Sequence, residues 1–113
     1  MQIGVDIEDS NRFEYRSQSL LDKIFTKPEQ EYCLKQAKPS QHFAGKFCAK
    51  EATIKALTAY GIKGVYLTDI EIYHDKNNCP CIRVLKDIHK HLHYKLSISH
   101  DRTKAIAFVV VRG

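Results

Sequence analysis

The chain has no run of about 18 apolar residues and no leader in which charged residues precede an apolar stretch, so nothing in it marks a secreted or membrane-inserted product. Internal repeats, low-complexity segments and linkers are also missing, and residues 1–113 are expected to form a single domain around one core. Cysteine is sparse: there are four, two of them as Cys79-Pro80-Cys81. With 43% hydrophobic residues available for a core, these read as reduced thiols and not as a disulfide framework, which favours a cytoplasmic protein. What the chain does carry is positive charge. Eighteen Lys+Arg against 13 Asp+Glu give +5, which implies an anionic partner. No cluster of Arg and Lys on a recognition helix and no aromatic-rich strand pair accompanies that charge, so nucleic acid is not the expected partner despite six tyrosines.

The period of the apolar residues changes along the chain. "MQIGVDIE" alternates Ile3, Val5 and Ile7 against Gly4, Asp6 and Glu8 and reads as a strand. Residues 9–36 hold two short helical patterns, the second entered through "TKPEQEY", with Thr26 as its cap and Pro28 in its first turn. After "KPSQ" a long helix is expected from Gln41 to Tyr60, capped by Ser40 and stopped by Gly61. "TDIEIYHD", "CPCIRVL", "YKLSISH" and "AIAFVVV" read as strands, with turns at "DKNN" and "DRT" and a short helix over Lys86 to His93. The order strand, helices, hairpin, helix, hairpin predicts an α+β domain: a mainly antiparallel sheet packed on one long central helix.

That helix contains "FCAKEATIKAL". At about 100° per residue, Phe43, Phe47, Ile54 and Leu57 make one stripe, and Ala49, Ala52, Ala56 and Ala59 make another. Ala44, Glu51 and Lys55 lie on the seam between the two, beside Cys48. Burying an unpaired charge costs several kcal/mol, so an acid and a base on this seam need partners. An ion pair one turn apart is the plain account. Two further stretches bear on it: Asp6 inside an apolar strand beside Gly4, which permits close approach of another element or a ligand, and His100 at the end of a strand before a polar turn.

Taken together, "GVDIEDSNRF", "FAGKFCAKEATIKAL" and "LSISHDRTKAIAFVVV" resemble the holo-acyl-carrier-protein synthase type of 4'-phosphopantetheinyl transferase, in its single-unit form. The hairpin "TDIEIYHDKNNCPCI" resembles the same family. The resemblance implies Mg²⁺-dependent transfer of the phosphopantetheine arm of coenzyme A to a serine of an acyl carrier protein, releasing adenosine 3',5'-bisphosphate in the service of fatty-acid synthesis. It assigns Asp6 and Glu51 to Mg²⁺, which suits a metal that takes one or two carboxylates plus phosphate oxygens. Lys55 would meet the diphosphate, so Asp6, Glu51 and Lys55 form the implied catalytic set. The proton acceptor for the serine is left open among Glu51, Asp6 and a metal-bound water. Lys46 matches a family arginine that contacts the 3'-phosphate, and His100 matches a position that contacts the nucleotide phosphates. Arg12, extended by Lys23 and Lys27, would face the acidic carrier protein. Five residues turn a helix by about 140°, so Lys46 and Glu51 face different ways. That fits the family's homotrimer, whose sites lie between subunits.

Three positions depart from the family pattern: Lys46 for Arg, Asp101 after His100, and Asn78 where the turn commonly has Gly. Lys46 gives up the bidentate fork of Arg. Asp101 should weaken phosphate binding unless it points into its turn. A rival reading, zinc held by Cys33, Cys48, Cys79 and Cys81 with His89 and His93, has poor spacing, since Cys-Pro-Cys is not a C-x₂-C knuckle. His89, His91 and His93 are expected to face solvent.

Overall fold

The computed structural model describes residues 1–88 and 90–113, all but His89. Strand β1 (Gln2–Asp9) leads through a single 3-10 turn at Ser10–Phe13 to helices α1 (Gln18–Ile24), α2 (Lys27–Leu34) and α3 (Pro39–Ala59). Strands β2 (Ile70–His74) and β3 (Pro80–Val84) form one hairpin, and β4 (His93–His100) and β5 (Lys104–Arg112) form another. Strand β1 pairs antiparallel with β5, giving a three-stranded sheet ordered β1-β5-β4, while β2-β3 stands as a separate two-stranded sheet. The α+β architecture on one long helix is therefore as expected, with the strands divided between two sheets.

Helix α3 begins two residues earlier than anticipated. Pro39 occupies its first position, where a missing N–H costs nothing. Ser40 is consequently inside the first turn, and its hydroxyl donates to Glu14 Oε1 at 3.1 Å instead of capping. The other end is as expected: Gly61 has φ +86°, its N–H reaches Thr58 O at 2.9 Å, and Ile62 N–H reaches Leu57 O at 2.9 Å, a Schellman closure. At α2 the anticipated Thr26 side-chain cap does not form, and Glu29 closes the turn instead. Glu29 Oε1 accepts from Thr26 N–H at 2.8 Å, whereas the Thr26 hydroxyl has no partner. The short helix expected over Lys86 to His93 is absent among the described residues, and His93 already belongs to β4.

The core is built around α3. Phe13, Phe25, Phe43 and Phe47 interlock, with Phe25 and Phe43 centroids 4.9 Å apart and Phe13 meeting both Phe25 and Phe47 edge-on at 5.7 Å. On the other side Ala49, Ala52 and Ala56 are fully buried, as are Ala105, Ala107 and Val109 on β5, so small side chains bring the sheet close to the helix. Ala59, at the helix end, is exposed and leaves the stripe one residue short. Gly4 sets the closest approach: a Cβ there would lie 1.9 Å from Ala52 O. Strand β1 therefore turns its polar side, Gly4, Asp6 and Glu8, toward α3, and its apolar side, Ile3, Val5 and Ile7, outward.

A second feature crosses the core. Lys50, fully buried on α3, pairs with Glu29 at 2.6 Å and donates to Ile24 O (2.8 Å), Leu67 O (3.0 Å) and Ile70 O (2.8 Å). Glu29 Oε2 accepts Ile72 N–H at 2.7 Å. Every polar side-chain atom of this pair is engaged, and it ties α1, α2, α3 and β2 at one point.

Candidate active site

Because β1 lies on α3 through Gly4, the same-face residues Asp6 and Glu8 come within electrostatic reach of Glu51. Lys55 donates to Asp6 Oδ1 at 3.1 Å and to Val5 O at 2.9 Å. The base of the seam thus pairs across to β1, and the ion pair with Glu51 one turn away is not the arrangement adopted. Arg12 donates to Glu8 Oε1 at 2.6 Å and lies over the Phe47 ring at 4.6 Å. Burial, then repulsion from Asp6 and Glu8, raises the proton affinity of Glu51, opposed in part by Lys55 and Arg12. Behind the carboxylates the Cys48 thiol, donating to Ala105 O at 3.3 Å, is pushed up to about 12 by burial and then by Asp6 and Glu8.

Glu8 was not among the residues singled out from the sequence. The alternation that placed Asp6 opposite Ile7 places Glu8 on the same face, and that was the available signal. The donor set fits Mg²⁺: hard carboxylate oxygens, one of which, Asp6 Oδ2, is buried with no hydrogen-bond partner. Among the described residues no three His, Cys, Asp or Glu side chains converge tightly enough to cage an ion alone, so a metal here would complete its shell with water or ligand oxygens.

Lys46 and His100 meet elsewhere, around a cavity of about 160 Å³ on another side of α3. Lys46, only 3% exposed, donates to Ile72 O at 2.9 Å, lies 3.1 Å from His74 Nε2 and sits 4.6 Å from the centroid of the Tyr32 ring. Tyr32 stacks on His74 at 4.1 Å, and the His42 ring stands 6.0 Å from Tyr32 and 6.2 Å from His100. Burial lowers the proton affinity of Lys46; burial and then neighbouring cations lower those of His42 and His74. His42 and His74 were not anticipated either. Asp101 does point into its turn: Oδ1 accepts from Thr103 N–H at 2.9 Å and Lys104 N–H at 2.8 Å. Asn78 has φ +61°, the left-handed conformation its position requires.

The structure therefore brings Asp6, Glu51, Lys55 and Arg12 together, brings Lys46 and His100 together, and keeps the two groups on different sides of α3. Lys23 is exposed on α1, and Lys27 is exposed at the start of α2. The zinc rival gains no support from geometry, since Cys33 and Cys48 are buried on different helices and Cys79 is exposed in a turn. His91 and His93 are exposed, and His89 lies outside the described residues.

Fold and site define a class: a small α+β unit that sets a carboxylate cluster and a cavity lined by Lys46 and imidazoles on two sides of one helix. A family model described as the 4'-phosphopantetheinyl transferase superfamily matches residues 2–109. The chain is 37% identical over 115 residues to the holo-[acyl-carrier-protein] synthase of Protochlamydia amoebophila, covering 96% of this chain and 94% of the relative. It is 42% identical over 115 residues to that of Chlamydia caviae, covering 96% and 93%. The Helicobacter pylori holo-[acyl-carrier-protein] synthase, solved in complex with coenzyme A, superposes with a TM-score of 0.80 at 33% identity, covering 97% of this chain and 99% of that one. The chain belongs to the 4'-phosphopantetheinyl transferase superfamily, among its holo-[acyl-carrier-protein] synthases.

Proposed function

We propose that this chain transfers 4'-phosphopantetheine from coenzyme A to a serine of an acidic apo-acyl carrier protein in the cytoplasm, releases adenosine 3',5'-bisphosphate, requires Mg²⁺, and serves fatty-acid synthesis. The observation that carries the reading is the unpartnered, buried Asp6 Oδ2 beside Glu51 and Glu8, with the Lys46 and His100 cavity on another side of the same helix. Asp6 and Glu51 hold the metal, which when bound supplies positive charge for the diphosphate. Lys55 neutralises the same diphosphate, the serine proton passes to Glu51, Asp6 or a water on the metal, and Lys46 with His100 holds the nucleotide phosphate. Arg12, whose side chain is 54% exposed, presents charge to the carrier protein, with Lys23 extending that surface. The four free cysteines are in keeping with a reducing compartment.

Residues 1–113 act as one unit within a homotrimer in this reading. The outer face of the β1-β5-β4 sheet supports self-association: Ile3, Val5 and Ile7 on β1 lie in register with Val110, Phe108 and Ile106 on β5, and Ile7 and Phe108 are 59% and 45% exposed. A continuous apolar patch of this kind is uncommon on monomers. Sites between subunits reconcile the divergence of Lys46 and Glu51, since a nucleotide held by Lys46 of one copy can present its diphosphate to Asp6 and Glu51 of the next.

Intact-protein mass spectrometry of apo-acyl carrier protein incubated with this protein, coenzyme A and Mg²⁺ tests the reading. The expected result is a gain of one phosphopantetheine that is lost with EDTA. No gain on several carrier proteins, or a gain indifferent to EDTA, would overturn it.

A further inference from the structure

The cavity around Lys46 is built from more imidazole than its proposed task requires. His42 comes from α3, His74 from the end of β2 and His100 from the end of β4, with Tyr32 of α2 as a wall. The contacts of His74 fix its protonation state. Lys46 donates to His74 Nε2 at 3.1 Å, so that nitrogen carries no proton, and Nδ1 faces Asn78 O at 3.5 Å as the protonated nitrogen. A charged His74 would set two donors against each other. A phosphate oxygen placed between Lys46 Nζ and His74 Nε2 changes this: both can then donate to it, provided the imidazole gains a proton.

We propose that His42 and His74 are phosphate-recognising residues of this cavity, and that a phosphate dianion entering it draws protons onto them. Nucleotide binding is thereby coupled to proton uptake and weakens as pH rises. The inference rests on the nucleotide placement given above. The groups facing the imidazoles are Lys46 from α3, Tyr32 from α2, Asp75 from the β2-β3 turn and His100 from β4. Lys46 is in turn within reach of Glu29, Cys33, Lys50 and Glu71. Asp75 Oδ1 accepts two backbone N–H groups, at 2.9 Å from Asn77 and Cys79, which hold that carboxylate in its turn.

The sign is fixed by the starting point. Both imidazoles hold protons less tightly than usual in the free protein, because burial and neighbouring cations disfavour their charged form. An adjacent dianion raises that affinity. Binding therefore takes up protons in the interval between the two values, and affinity is lost as pH climbs through the upper one. The ligand has the opposite tendency, since a phosphate monoester binding as dianion can only release protons.

Isothermal titration of the protein with adenosine 3',5'-bisphosphate near neutral pH, in buffers of different ionisation enthalpy, counts protons directly. Net uptake is expected, with affinity falling about threefold to tenfold between pH 7 and 8.5, since one full proton corresponds to about tenfold per pH unit. Adenosine 5'-monophosphate is expected to show a smaller uptake. In a His42→Gln, His74→Gln double variant with parental thermal unfolding, the bisphosphate should bind more weakly, without proton uptake. Tight binding without uptake in the parent would overturn the proposal while leaving the nucleotide placement standing. Uptake that persists in the double variant would overturn the imidazole role of these two residues. Failure of the parent to prefer the bisphosphate over the monophosphate would remove the nucleotide placement itself, and the proposal with it.

Discussion

Replacing Lys50 by Met isolates the ion pair that crosses the core. Lys50→Met keeps length and apolar bulk but removes the ammonium that meets Glu29 at 2.6 Å and three backbone carbonyls at 2.8–3.0 Å. Glu29 would remain fully buried with two backbone N–H donors and no cation. Removing one partner of a buried pair costs about 3–5 kcal/mol, because the other charge stays desolvated. A chain of this length has roughly 6–17 kcal/mol to lose, so the variant still folds but is strongly weakened. At about 4 °C per kcal/mol for this size, the midpoint should fall by about 12–20 °C. Guanidinium unfolding followed by far-ultraviolet circular dichroism, at fixed protein concentration so that assembly does not confound the comparison, reads the difference. Neutralising both ends, Glu29→Gln with Lys50→Met, should be less damaging than the sum of the single changes. A Lys50→Met variant within about 1 kcal/mol of the parent would refute the reasoning and mean that water or a proton relieves the unpaired carboxylate.

Glu51→Gln should abolish Mg²⁺-dependent transfer yet leave unfolding stability unchanged or slightly raised, because it removes a partly buried carboxylate repelled by Asp6 and Glu8 in surroundings that solvent screens; activity and denaturation assays on one preparation check both halves. Arg12→Ala should raise the apparent KM for carrier protein several-fold with little change for coenzyme A, and its lost exposed pair with Glu8 should move stability by less than about 1 kcal/mol. Phe108→Glu should convert a trimer to monomers in sedimentation velocity and remove transfer activity; an unchanged mass would place the assembly face elsewhere.

Much of the fold was legible because its signals are local. The Gly61 stop, the hairpin at Asn78 and the alternation of β1 each depend on residues a few positions apart. What the alternation of β1 leaves undetermined is which side turns inward. The rule that apolar residues face the core fails for Ile3, Val5 and Ile7, because α3 approaches too closely for anything but Gly4, and the apolar side is left for another surface. Glu29 carries an ordinary signal for a helix start, and Lys50 looks like any solvated lysine; their pairing depends on residues 21 positions apart in sequence meeting across the core. Of the site, Asp6 and Glu51 were visible through the family pattern. His74 was not, since the packing of β2 against α3 is what brings it to Lys46; His42 lies one helical turn before Lys46 on α3, and that i,i+4 spacing was the available signal.

Helix α3 presents Lys46 on one side and Glu51 on another, and in the proposed trimer each centre takes one of these from each of two neighbours. Two dead variants should then rescue each other. If subunits lacking Lys46 and subunits lacking Glu51 are unfolded together and reassembled at random in equal amounts, about one quarter of the interfaces join an intact Lys46 to an intact Glu51. In a cell carrying two defective copies of the gene, the same arithmetic lets a pair of null alleles complement, provided the lesions fall on different sides of this one helix.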